Sequence, residues 1–352
     1  MAIQAQHREP FPHPPVRPEW LAKVTEEVID PAQPIIDPHH HLWRARPDRY
    51  LLDDLAADLR TGHNVVATVF IQCGSDYRPD GPPELRPVGE TEFVAAAARD
   101  SETGRFGGLR ACAGIVGFAD CTLGERIDAV LQAHIEAGGG RFKGIRHSGT
   151  YDAGIAPTVP PGAPPGLYRD PAFRSGFARL QRFGLTFEAW LYHPQLADLL
   201  DLLRAFPEQK VVLNHLGGPL GVGRYADRRA EVFAQWRAYI TELAECPNLH
   251  IKLGGLAMNV NGFGFDHEVL PPSSGEMARA WRPYVEHAVE TFGAGRCMFE
   301  SNFPVDKGMC AYPILWNAFK RIAAGCSAGE KAALFHRTAR GFYNLPESLD
   351  GL

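Results

Sequence analysis

The stretch IIDPHHHLW, Ile35 to Trp43, runs two β-branched residues into an aspartate, a proline and three histidines. In an extended segment Asp37, His39 and His41 share one direction and His40 takes the other. Two imidazoles at i and i+2 on a rigid strand can ligate one divalent ion, with Asp37 placed to fix a ring tautomer behind them. A hydrogen-bonded histidine cluster at a strand end is the competing reading. Groups that would complete a site recur at the ends of later apolar runs. His215 in VVLNHLGG is the leading third imidazole, while His193 reads as a loop residue. Glu188 in LTFEAWLYH is a carboxylate inside an apolar run; burying it unpaired is costly, so it is either a ligand or the ion-pair partner of Arg146 or Lys252. Arg146 ends RFKGIRHSG, where a guanidinium suits bidentate capture of a substrate carboxylate or a structural ion pair. In RCMFESNFPVDK, Glu300 and Asn302 are two apart and face the same way, Glu300 one layer deeper and in need of a cation.

Something must carry these groups to one place. Short apolar runs occur at PIIDPHH, NVVATVFIQ, GLRACAGIVGF, GRFKGIRH, LTFEAWLY, KVVLNHLGG, LHIKLGGL and RCMFESNF. Between several of them lie segments with apolar residues every three or four positions, such as LGERIDAVLQAHIEAGG, QLADLLDLLRAF, EVFAQWRAYITELAEC and EMARAWRPYVEHAVETFG. Near-continuous apolar strands alternating with helices demand parallel pairing with both faces covered, and eight of them favour a closed (β/α)8 TIM barrel. No GxGxxG follows the first strand, which counts against a dinucleotide-binding open sheet. The expected organisation is a proline-rich N-terminal arm over residues 1–33, lying on the surface or across a partner subunit, and one α/β domain over residues 34–352. Two long loops, after the fourth and seventh strands, belong at the C-terminal mouth, where they would act as a lid or an oligomer contact.

An apolar fraction of 45%, a charged fraction of 22% and a net charge of -5 describe an ordinary globular chain. They give no reason to expect nucleic acid or an anionic membrane as partner. No run approaches the roughly 18 apolar residues of a membrane span, and the N-terminus lacks a signal-peptide core, so a cytoplasmic protein is expected. Seven scattered cysteines without a CxxC pair read as reduced core thiols.

Through DPHHHLW, FKGIRH, VVLNHLGGP, HIKLGG and MFESNFPVD, the chain resembles the metal-dependent amidohydrolase superfamily. The branch is the one containing L-fuconolactonase-like and 2-pyrone-4,6-dicarboxylate lactonase-like enzymes. The resemblance runs from about Ile35 to Leu345 and implies a barrel whose first-strand histidine pair is His39 and His41. Its late-strand histidine is then His215, and its arginine after the fourth strand Arg146. The family's eighth strand normally ends in an aspartate, in a Gly-Ser-Asp-x-Pro context, that serves as general base. Here the context reads Glu300, Ser301, Asn302, Phe303, Pro304, with asparagine at the aspartate position. An amide orients but takes no proton at neutral pH, so Glu300 is expected to compensate as base or further ligand.

The expectation is therefore a metal-dependent hydrolase, active in catabolism, that opens a lactone or related cyclic ester by attack of an activated water. Its catalytic groups are Glu300, Asn302, His215 and Arg146. The metal set is drawn from His39, His41, Glu188, His215 and Glu300, with zinc expected and manganese or iron as alternatives. The substrate is a small molecule carrying a carboxylate, and the arm suits a homo-oligomer. Rival readings are a metal-dependent decarboxylase of an aromatic acid, an iron-dependent oxygenase on the same barrel, and a non-catalytic subunit that has lost its base.

Overall fold

Each of the eight apolar runs forms a strand in the computed structural model, which describes residues 13–45, 48–159 and 162–351. The strands are β1 (Pro34–His40), β2 (Asn64–Ile71), β3 (Arg110–Gly117), β4 (Phe142–Arg146), β5 (Thr186–Ala189), β6 (Val211–Leu213), β7 (Leu249–Leu253) and β8 (Cys297–Phe299). They pair in parallel in sequence order. The seam between β8 and β1 is drawn together by the His41 amide on the Phe303 carbonyl at 2.8 Å and the Asn302 amide on the His39 carbonyl at 2.9 Å. Parallel neighbours require long crossovers, and helices supply them. Four amphipathic segments fold as expected, at Ile127–Gly138, Leu196–Ala205, Arg229–Ala244 and Ser274–Phe292, and further helices form at Leu52–Leu59, Val88–Ser101 and Tyr312–Ile322.

The core has two main parts, as both faces of a parallel sheet must be covered, and a third cluster, smaller than either, around Trp190, Tyr192, Leu220 and Met258. The larger lies between sheet and helices and includes Trp236, Trp281 and Trp316. A smaller cluster joins Ile36, Val69, Val116, Val212 and Met298 to Phe342, Tyr343 and Leu345 of the C-terminal segment. Among the described residues no helix is long and apolar enough to cross a membrane. All seven cysteines are free, and six are buried.

The described part of the arm packs on its own barrel. Arg17 donates to the Asp266 carbonyl at 2.7 Å and Trp20 Nε1 to the Glu268 carbonyl at 3.2 Å, both in the loop after β7. Glu26 accepts the Ser274 amide at 2.8 Å and Asn317 Nδ2 at 3.2 Å. Residues 1–12 lie outside the described residues.

One expectation about β1 fails. Its pairing with β2 shifts register between Asp37 and His40, around Pro38, which has no amide to give the ladder. Asp37 therefore does not sit behind a histidine ring. Its Oδ1 accepts the Ser301 amide at 3.0 Å and its Oδ2 the Tyr312 hydroxyl at 3.0 Å, so it ties β1 to the residues after β8. Burial, opposed by these hydrogen bonds, pushes its carboxyl up to about 6.

Candidate active site

Three imidazoles converge at the C-terminal end of the barrel, with ring centroids 5.0 Å apart for His39 and His41 and 4.4 Å for His39 and His215. Glu300, fully buried just past β8, reaches under them. Its Oε1 accepts the His215 amide at 3.1 Å and lies 2.7 Å from His215 Nδ1. Its Oε2 lies 2.7 Å from His39 Nδ1 yet makes no hydrogen bond among the described residues. Burial, Lys252 and the neighbouring rings hold the His39 imidazole well below its ordinary range. Burial also lowers His215, against the opposing pull of Glu300.

Two glycines make this approach possible. A Cβ on Gly254 would come within 2.4 Å of the Glu300 carbonyl oxygen, and one on Gly255, at φ +67°, within 2.3 Å of His215 Nδ1. The Gly-Gly of HIKLGG is therefore part of the site, a role that sequence inspection did not assign. His215 itself adopts φ 52°, a left-handed turn rare for a non-glycine residue and expected where function holds it.

Glu188 lies in a second polar layer. Its carboxylate pairs with Lys252 Nζ at 2.8 Å, both side chains fully buried, and accepts the Asn214 amide and the Tyr343 hydroxyl. Of the two roles expected for Glu188, the ion pair with Lys252 is the one that forms. Lys252 also donates to the Pro38 carbonyl at 2.8 Å and lies 3.3 Å from His39 Nδ1.

Arg146 is buried with Nε on Gln72 Oε1 at 3.2 Å, Nη2 on the Gln72 carbonyl and Nη1 3.4 Å from His39 Nε2. Behind it Glu90 accepts the Ser75 and Cys73 amides at 2.8 and 3.1 Å, and burial pushes its carboxyl up to about 7. Gln72 and Glu90 were missed because amides and carboxylates near helices and strand ends are too common to single out. His41 Nδ1 lies 2.7 Å from the Ile71 carbonyl; since a carbonyl only accepts, Nδ1 carries the proton and Nε2 the lone pair of the neutral ring. Asn302 Nδ2 donates to Asp306 Oδ1 at 2.8 Å, leaving its own Oδ1 as an acceptor. Asp306 is fully buried, and burial pushes its carboxyl well above the usual range.

These groups open into a narrow slot with a cavity volume of about 40 Å3. His41, Arg146, His215 and Asn302 line it with Trp43 and Trp190. Both long loops contribute, the first through Thr158 and Val159 and the second through Met258.

The donor set fits a divalent cation. Ligand atoms of His39, His215 and Glu300 all lie within 4.8 Å of one another, and Glu300 Oε2 is a buried anionic oxygen without a hydrogen bond. Two imidazoles and a carboxylate suit zinc, manganese or iron. Lys252 stands close, but Glu188 matches its charge, so the cluster feels an ion pair and not a bare cation. Of the expected ligands, His41 and Glu188 stand outside this cluster of three.

A parallel eight-stranded barrel whose strand ends gather imidazoles and carboxylates under one cleft is the architecture of a barrel enzyme. The amidohydrolase family model matches residues 36–345, and the chain belongs to that family as one of its hydrolases. A protein of Sinorhizobium fredii named uncharacterized protein y4mH is 32% identical over 333 residues, spanning 88% of this chain and 98% of its own. L-fucono-1,5-lactonase of Burkholderia multivorans is 28% identical over 324 residues, spanning 90% and 97%. An amidohydrolase of Burkholderia multivorans crystallised with bound zinc shares the fold at a TM-score of 0.69 and 24% identity, over 89% of this chain and 99% of its own.

Proposed function

We propose that this hydrolase opens a lactone by attack of water in the slot above His39, His215 and Glu300. The observation that carries the reading is the fully buried Glu300 carboxylate set between two imidazoles, 2.7 Å from His39 Nδ1 and 2.7 Å from His215 Nδ1. The similarity to an L-fucono-1,5-lactonase supports a cyclic ester as substrate. A divalent ion held by His39, His215 and Glu300 would polarise the carbonyl and lower the pKa of a water.

The chain's own groups supply the rest. His41 Nε2, unprotonated because Nδ1–H serves Ile71, accepts the proton of the attacking water and returns it to the alkoxide oxygen released as the ring C–O bond breaks. Asn302, its amide nitrogen held by Asp306, offers Oδ1 as acceptor and orients that water. Arg146, fixed by Gln72, presents positive charge to the oxygen on which negative charge develops, or to the carboxylate released when the ring opens. The narrow aromatic slot excludes bulk water from these contacts. Glu300 does not line the cleft, which favours the ligand role over that of proton acceptor.

The test pairs elemental analysis of the purified protein with a pH-stat assay on L-fucono-1,5-lactone, for the parent and for His39→Ala and His215→Ala. Near-stoichiometric zinc, manganese or iron and lactone opening in the parent, both lost in the variants, is the expected result. Release of carbon dioxide from an aromatic acid without lactone opening would replace the hydrolytic reading by decarboxylation.

A further inference from the structure

The outer rim of the cleft is built partly by a segment outside the family match at residues 36–345. His13, from the arm, lines the slot and is 3% exposed. Its ring lies nearly parallel to the Trp43 indole, centroids 5.7 Å apart and planes at 24°, and Trp43 repeats this on His41 at 6.0 Å and 22°. A ladder of three rings thus runs from the arm to the proposed proton acceptor. The arm's seat is shaped for it: a Cβ on Gly308 would come within 2.2 Å of the Pro14 carbonyl oxygen, so only glycine lets the chain pass there. Asp48 stands beside His13, its Oδ2 3.9 Å from Nδ1. Both oxygens of Asp48 are buried and make no hydrogen bond among the described residues.

We infer that His13 is a specificity-determining residue, contacting the end of the substrate remote from the reacting carbonyl and recognising a hydroxyl there, with Asp48 beside its ring as a positioning residue. This rests on the lactone reading above. His41, Arg146, His215 and Asn302 gather around the reaction centre, and Trp43, Val159, Met258 and Val305 make apolar walls. Thr158, the other polar group of the arm-side rim, already receives Trp190 Nε1 at 3.0 Å. A neutral imidazole carries one donor and one acceptor, which matches a hydroxyl. The substrate class is therefore a hydroxylated lactone.

His13→Ala, His13→Gln and Asp48→Asn test this with two six-membered lactones, L-fucono-1,5-lactone and δ-valerolactone, which has the same ring without hydroxyls. For His13→Ala, KM on the hydroxylated lactone should rise about tenfold with kcat within about twofold, the loss expected for one hydrogen bond to a partly charged group. KM for δ-valerolactone should stay unchanged, His13→Gln should recover part of the loss, and Asp48→Asn should show a smaller rise. Equal effects on the two lactones, or none on either, overturn the assignment. If the parent opens neither lactone, the hydrolytic reading is what has failed. His13 is then judged by calorimetry with L-fuconate, the ring-opened acid: binding about tenfold weaker in His13→Ala sustains its role, and equal binding or none refutes it.

Discussion

Glu188 on β5 and Glu300 just past β8 are both fully buried carboxylates of one barrel, yet their surroundings differ. Glu188 meets a lysine ammonium, an amide and a phenol, which satisfy its charge and its lone pairs. Glu300 meets two imidazoles and a backbone amide, and one of its oxygens is left without a hydrogen bond. Burial alone does not mark a ligand, nor does an oxygen without a hydrogen bond, which Glu90 also has; the lesson is that such an oxygen within a cluster of imidazoles does. The Glu188 layer reads as a structural ion pair beneath the site, and the Glu300 layer as the place where a cation is wanted.

The sharpest way to break this contrast is to neutralise each carboxylate in turn. Glu300→Gln should remove bound metal and lower kcat/KM on the order of 10³-fold, measured by elemental analysis and lactone turnover, while the protein still folds. Glu188→Gln should instead leave Lys252 as an uncompensated buried charge and lose about 3–5 kcal/mol in urea denaturation, because removing one partner of a buried pair forfeits its compensation. Were Glu188→Gln to strip the metal at unchanged stability, the two roles would have to be exchanged.

A third carboxylate supplies the smallest effect. Glu90 is raised by burial from its ordinary value near 4.5 to about 7. A carboxyl whose folded pKa is raised favours the fold while protonated, so its contribution is full below about pH 4.5 and is lost as pH rises through about 7. Glu90→Gln keeps an acceptor for the Cys73 and Ser75 amides and cannot ionise. Relative to the parent, the variant should therefore gain stability from pH 5 to pH 8, by at most on the order of 3 kcal/mol in urea titrations at the two pH values. A gap that does not change with pH would show that Glu90 is not held up by burial.

The barrel was legible because its rule is local and repetitive: apolar runs of strand length, helices between them, and parallel pairing forced by both. The family was legible for the same reason, since Asp-Pro-His-His-His and Glu-Ser-Asn-Phe-Pro sit at fixed places relative to those runs. His39, His215, Glu300, Arg146 and Asn302 could be named from their positions at strand ends; in the structure His215, Arg146 and Asn302 line one cleft, and His39 and Glu300 cluster with His215. What spacing could not give was direction past an irregularity. The period-two rule pointed Asp37 with His39, but the register shift around Pro38 turns Asp37 to Tyr312 instead.

The amino-acid order by itself thus determined the architecture and named candidates for a reaction centre. Only the tertiary structure decided partnership: Lys252 with Glu188, Glu300 with two imidazoles, Asp306 with Asn302, His13 from a distant arm over Trp43. The physical reason is that a strand's own pattern fixes which face a side chain takes, whereas the charge or lone pair it meets comes from other strands, loops and the arm. Those distances are set by packing across the barrel and not by neighbours in sequence.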